Sequence, residues 1–111
     1  MSIALQRRLA KQNKYGDEYE PITGVVFDPF TDEIWTAIKG QTAKLNGKKI
    51  RVSNCGLREA LLSIGFAKDK KAMDYMMPYF SKLALKIRKP RMMGSAALAM
   101  TYVASGRFQG Y

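Results

Sequence analysis

Between positions 22 and 52 apolar and polar residues alternate with a period of two, and short clusters of turn-forming residues interrupt the alternation. Ile22-Thr-Gly-Val-Val-Phe27 is rich in β-branched residues and predicts a strand. Asp28-Pro29-Phe30-Thr31-Asp32 predicts a turn, because proline presets φ and aspartate bonds its own backbone. Residues 33–38 return as the next strand, with Ile34, Thr36 and Ile38 on one side and Trp35 and Ala37 on the other. Lys39-Gly40 turns again, and residues 42–45 form a third strand. Asn46-Gly47 is a type I′ hairpin signal, since both central positions of that turn need positive φ, and residues 48–52 complete the hairpin. Residues 22–52 therefore read as an antiparallel meander.

The flanks are patterned differently. Residues 2–5 begin an apolar strand that Arg7-Arg8 cuts short. Residues 6–20 are polar and charged, with Gly16-Asp17 as a turn signal, and read as a surface excursion between two strands. Residues 57–66 fit a short helix or a buried strand, and periodicity does not separate the two. From 69 to 87, Met73, Met76, Met77, Phe80, Leu83 and Ile87 recur at helical spacing. Pro78 falls inside that pattern and predicts a kink or two consecutive helices. The methionines read as filler of an irregular core rather than a cofactor box.

Lys89-Pro90 ends the helical pattern inside a basic cluster of Lys86, Arg88, Lys89 and Arg91, and residues 91–93 predict a short strand. Ser95 is placed to cap a helix over residues 96–105, with Gly106 just past its end. The sum is an α+β (mixed α/β) fold in a single domain over residues 1–111. An antiparallel meander comes first, and strand and helix units follow over 53–111.

Composition narrows the chemistry. There is no histidine and one cysteine, Cys55, so an intrachain disulfide, a Ser-His-Asp arrangement and thiol-rich metal sites are excluded within this chain. Cys55 reads as a half-buried structural residue. The 19 Lys and Arg against 9 Asp and Glu give a net charge of +10, which raises the question of nucleic acid. No ribonucleoprotein, zinc-finger or basic-heptad signature accompanies the charge. A solvated basic surface, including Arg88, Lys89 and Arg91, is the plainer reading, and an RNA or other polyanion binder is its rival. No apolar run is long enough for a membrane span and no secretory signal opens the chain, so a cytoplasmic protein is expected.

The most informative stretch is the last one: Arg91-Met-Met-Gly-Ser-Ala-Ala-Leu-Ala-Met-Thr-Tyr-Val-Ala-Ser-Gly-Arg-Phe-Gln-Gly-Tyr111. A helix that starts beside Gly94-Ser95 exposes unpaired N–H groups and a positive dipole end, which suits a polar or anionic ligand. This stretch resembles the inositol monophosphatase family. So do Gly24-Val-Val-Phe-Asp-Pro29, Asp32-Glu33, Lys39-Gly40, Ala43, Leu45-Asn46-Gly47 and Ile50-Arg51-Val52-Ser53, in the same order.

The resemblance implies part of a layered α/β sandwich. It favours a strand over residues 60–65 and casts Ser2-Ile3 as the strand that enters the meander. It also implies a Mg²⁺-dependent phosphomonoesterase acting on a small phosphorylated substrate such as inositol monophosphate. Bisphosphate nucleotide and histidinol phosphate are further possibilities, and a homodimer is admitted. Gly94, Ser95 and Ala96 match the segment that meets the alcohol portion of the ester; tight strand–helix packing would use the same small residues.

The family's metal carboxylates come from an upstream glutamate, an Asp-Pro-x-Asp-Gly-Thr motif and a later Trp-Asp motif, and none of these is in this sequence. Asp28-Pro29-Phe30-Thr31-Asp32 lacks the Gly-Thr and reads as the meander's turn. Ala99 and Gln109 stand where acidic residues are common in the family. The chain therefore reads as a partial phosphatase with a substrate wall and no catalytic or metal residues, inactive and without bound Mg²⁺ when alone. One half of a split phosphatase is a further alternative.

Overall fold

The computed structural model describes residues 1–66 and 68–111. The chain folds as two compact units, Met1–Ile50 and Arg51–Tyr111. The first is an antiparallel sheet and the second is built from strands and helices, so the architecture is mixed α/β, with the meander preceding the strand–helix units.

The first unit is a five-stranded sheet in sequential order: β1 (Ser2–Asn13), β2 (Gly16–Asp28), β3 (Glu33–Ile38), β4 (Lys44–Leu45) and β5 (Lys48–Lys49). The β2–β3 register runs from Thr23 opposite Ile38 to Asp28 opposite Glu33. Asn46 and Gly47 adopt φ of 46° and 77° between β4 and β5, which is the type I′ turn. Asn46 also locks the hairpin to β3, because its Oδ1 accepts from Ile34 N at 2.8 Å. β4 and β5 are two residues each, shorter than the strands read from sequence.

The polar stretch at 6–20 is not an excursion. β1 and β2 continue through it as one long hairpin whose turn lies at Lys14-Tyr15, just before Gly16. Cross-strand charge pairing holds this part together: Arg7–Glu20 at 2.7 Å and Arg8–Asp17 at 2.8 Å, with Lys39 also bonded to Glu20. Irregular registers between Leu5 and Gln6 and between Arg8 and Gln12 break the period-two signal. Both faces are open to water there, so no apolar alternation marks the strands.

Register also places Met1, Phe27 and Ile34 in one rung on one face, Ile3, Val25 and Thr36 in the next, and Leu5, Thr23 and Ile38 in a third. Met1, Ile3 and Leu5 on this face are exposed. The opposite face carries Val26 and the buried Trp35.

In the second unit a 3-10 turn (Leu57–Glu59) leads into β6 (Leu61–Ser63), which pairs in parallel with β7 (Lys89–Arg91). A strand thus does fall within residues 60–65, but it covers only Leu61–Ser63. β7 begins two residues earlier than the pattern predicted. Pro90 fits because β7 has no second neighbour among the described residues.

Between the strands runs α1 (Lys70–Ala84), capped by Asp69, whose Oδ2 accepts from Ala72 N at 2.8 Å. It is one helix, with Pro78 inside it. Its methionines are not core filler: Met76 is 45% and Met77 42% exposed, and no residue of α1 is buried. Cys55 is likewise exposed rather than half-buried.

α2 (Ala96–Ala104) follows β7. The core of this unit is Ala60, Ile87, Ala99 and Phe108. Phe108 packs against Tyr102 with ring centres 5.3 Å apart. Gly106, at φ 74°, ends α2 where a Cβ would stand 2.9 Å from Arg51 O, so only glycine lets the two backbones meet. No helix among the described residues is long and apolar enough to cross a membrane.

Candidate functional site

The site is built at the start of α2, and its local chemistry explains the position. Gly94 takes φ 70° and turns the chain after β7; Ser95 is extended, and its Oγ accepts from Leu98 N at 3.3 Å. That cap satisfies one of the helix's unpaired donors. The N–H groups of Ala96 and Ala97, in the first turn, have no carbonyl within the helix to bond. Methyl side chains there keep the approach to the backbone open.

Residues 92–96 form one wall of a cavity of about 230 Å³, and residues 63–66, leaving β6, form the other, with Tyr111 beside them. Gly94, Ser95 and Ala96 therefore share one hollow, and the fold adds Ser63, Gly65 and Phe66, which the sequence pattern did not single out. Tyr111 reaches over Gly65, with its hydroxyl 2.9 Å from where a Cβ would be.

Ser63 is the most telling addition. It is 2% exposed, and its Oγ is a buried side-chain oxygen without a hydrogen-bond partner. Its backbone N–H is donated to Gly110 O at 2.9 Å. A buried hydroxyl left unpaired costs free energy that a water or ligand hydroxyl reaching it would recover. No periodic signal could have found it, because a serine in a three-residue strand looks like any other.

An adjoining hollow of about 450 Å³ opens toward α1, lined by Met76, Tyr79, Phe80 and Leu83. Phe66 meets Phe80 edge-on there, with ring centres 5.3 Å apart.

The acidic residues are placed otherwise. Asp28 is buried, and its Oδ1 accepts from Phe30 N at 3.1 Å, so it shapes the turn. Among the described residues no three carboxylate or cysteine groups come together as metal ligands. Ala99 is fully buried in the α2 packing, and Gln109 is bonded to Leu61. Of the basic cluster, Lys89 and Arg91 lie in β7, and Arg91 Nη1 donates to Pro90 O.

Residues 15–111 match the inositol monophosphatase family. Inositol monophosphatase 2 of Solanum lycopersicum is 43% identical over 93 residues, covering 81% of this chain and 35% of that protein. Nus factor SuhB of Pasteurella multocida is 40% identical over 90 residues, 79% of this chain and 34% of that one. Among solved structures, the inositol monophosphatase of Anabaena (Nostoc) sp. PCC 7120 superposes with a TM-score of 0.72 at 38% identity, over 79% of this chain and 36% of that one. The chain thus spans about a third of the length of the relatives it matches.

Proposed function

This chain belongs to the inositol monophosphatase family, and on that premise we propose that it forms the alcohol-side wall of a phosphomonoester site. The substrate class is a small polyol phosphate of the inositol phosphate kind. Gly94, Ser95 and Ala96 are the substrate-contacting residues in this reading, with the free N–H groups of α2's first turn directed at polar atoms of the ester.

The observation that carries the proposal is that these three residues line one cavity together with Ser63, whose buried hydroxyl has no hydrogen-bond partner. A hydroxyl-rich ring suits such a lining, since it offers both donors and acceptors at close range.

Hydrolysis is assigned to the intact family, where Mg²⁺ would neutralise the phosphate and activate water. Among the described residues no three acidic or thiol groups gather as ligands for that ion, and in this reading the chain alone binds and does not turn over. Incubation of the purified chain with inositol monophosphate and Mg²⁺ is expected to release no phosphate; sustained release would refute the reading. Binding itself is checked by NMR, where inositol monophosphate should shift the amide signals of Gly94, Ser95 and Ala96. Unchanged signals at saturating ligand would remove the site.

A second reading, a polyanion binder, is favoured by the +10 charge. Exposed Lys44, Lys48 and Lys49 on the β4–β5 hairpin are where it would begin. Its test is the slope of RNA affinity against salt, which must be steep.

A further inference from the structure

We infer that a further hollow in the Arg51–Tyr111 unit, lined by Arg58, Arg88 and Arg107, binds a phosphate group. The hollow measures about 450 Å³ and is lined also by Cys55, Glu59, Leu61 and Gln109. It shares no residue with the cavity at the start of α2.

The three arginines come from separate segments. Arg58 lies in the 3-10 turn before β6, Arg88 just before β7, and Arg107 just after α2. Main-chain hydrogen bonds fix each segment. Glu59 N and Ala60 N bond back to Gly56 O and Leu57 O around Arg58. Arg88 N donates to Ala60 O at 3.1 Å, and Arg107 N to Tyr102 O at 2.9 Å. The Arg107 guanidinium also rests over the Tyr102 ring at 4.8 Å. The backbone that carries the three groups is therefore set before any ligand arrives.

Charge gives the ligand its class. Glu59 is the one carboxylate residue lining the hollow among the described residues, so three arginines leave a surplus of two positive charges. Neither Arg58 nor Arg88 forms an ion pair among the described residues. Like charges gathered at one place repel, and a doubly charged anion relieves that repulsion. Guanidinium presents a planar fork of donors that fits phosphate oxygens two at a time, which a lysine cannot match. The same phosphate chemistry is offered by a free phosphate ester and by the backbone of a nucleic acid.

The test uses the full chain with inorganic phosphate as probe, against sodium chloride of equal ionic strength, read by NMR at the amides of Arg58, Arg88 and Gln109. Saturable shifts with phosphate alone are expected. Arg58→Gln and Arg88→Gln should each weaken binding at least tenfold. Arg8→Gln, on the β1–β2 hairpin, should leave it unchanged. All three positions are exposed, so the substitutions spare the fold. Equal shifts with chloride, or phosphate binding that survives the Arg58→Gln, Arg88→Gln double variant, would overturn the site. A short single-stranded RNA identifies the source: tighter binding that phosphate competes away points to a nucleic-acid backbone, and no gain over phosphate points to a small ester. Shifts at Gly94 to Ala96 report the other cavity, so the two readings fail separately.

Discussion

Gln109 and Leu61 exchange two hydrogen bonds across the sequence: Gln109 N donates to Leu61 O at 2.9 Å, and Leu61 N donates to Gln109 Oε1 at 2.7 Å. A side chain here completes what would otherwise be a third strand beside β6, continued by the bridge between Leu62 and Gly110. Gln109→Ala leaves the half-buried Leu61 N–H unpaired and is expected to cost about 1–3 kcal/mol in urea unfolding. Gln109→Glu keeps the acceptor and should lie near the parent stability at neutral pH. It also adds negative charge to the arginine hollow, so phosphate affinity there should fall.

Ser63 offers the opposite case. Its hydroxyl is buried and unpaired, so Ser63→Ala removes a desolvated group and its penalty. Unfolding free energy should rise by about 1 kcal/mol, while affinity for inositol monophosphate drops. A loss of stability would mean that the hydroxyl has a partner in solution.

Gly94 and Gly106 have nearly the same φ, 70° and 74°, and different surroundings. A Cβ at Gly94 meets nothing within 4 Å; at Gly106 it meets Arg51 O at 2.9 Å and Ser53 N at 3.3 Å. Gly94→Ala should therefore cost about 1 kcal/mol, from backbone strain alone. Gly106→Ala should exceed it by at least about 1 kcal/mol, because backbone must move. Paired denaturation curves isolate the difference.

Glu20 governs the acid response of the β1–β2 hairpin. Hydrogen bonds from Lys39 and then Arg7 hold its carboxyl below the ordinary glutamate range. A lowered folded pKa means the stabilisation is complete above the unfolded value and disappears as pH falls through the folded one. The side chain is solvent-screened, so the effect is small and weakens with salt. Titration of the Glu20 carboxyl by NMR should show the depressed midpoint, and Lys39→Met should return it toward normal.

Much of this molecule could be read from its residues in order. The meander was legible because half-buried strands write a period of two, and Asn46-Gly47 because its turn demands positive φ. Ser95 and Gly106 were legible for similar local reasons. The β1–β2 hairpin beyond Leu5 was not, since opposite charges across two solvent-exposed strands leave no apolar period. Nor was the exposure of Met76 and Met77, because helical spacing says which residues share a face and nothing about what covers it.

The candidate site divides the same way. Gly94, Ser95 and Ala96 stood out as a run of small residues at a helix start, a pattern contained within a few adjacent positions. Ser63, Tyr111 and the meeting of Arg58, Arg88 and Arg107 belong to distant segments. Sequence fixes conformation wherever a preference is local: φ at a turn, a cap, a strand's alternation. Which remote side chains face one cavity depends on the parallel pairing of β6 with β7 and on the tether between Gln109 and Leu61. Those are long-range hydrogen bonds, and their geometry exists only once the chain has closed.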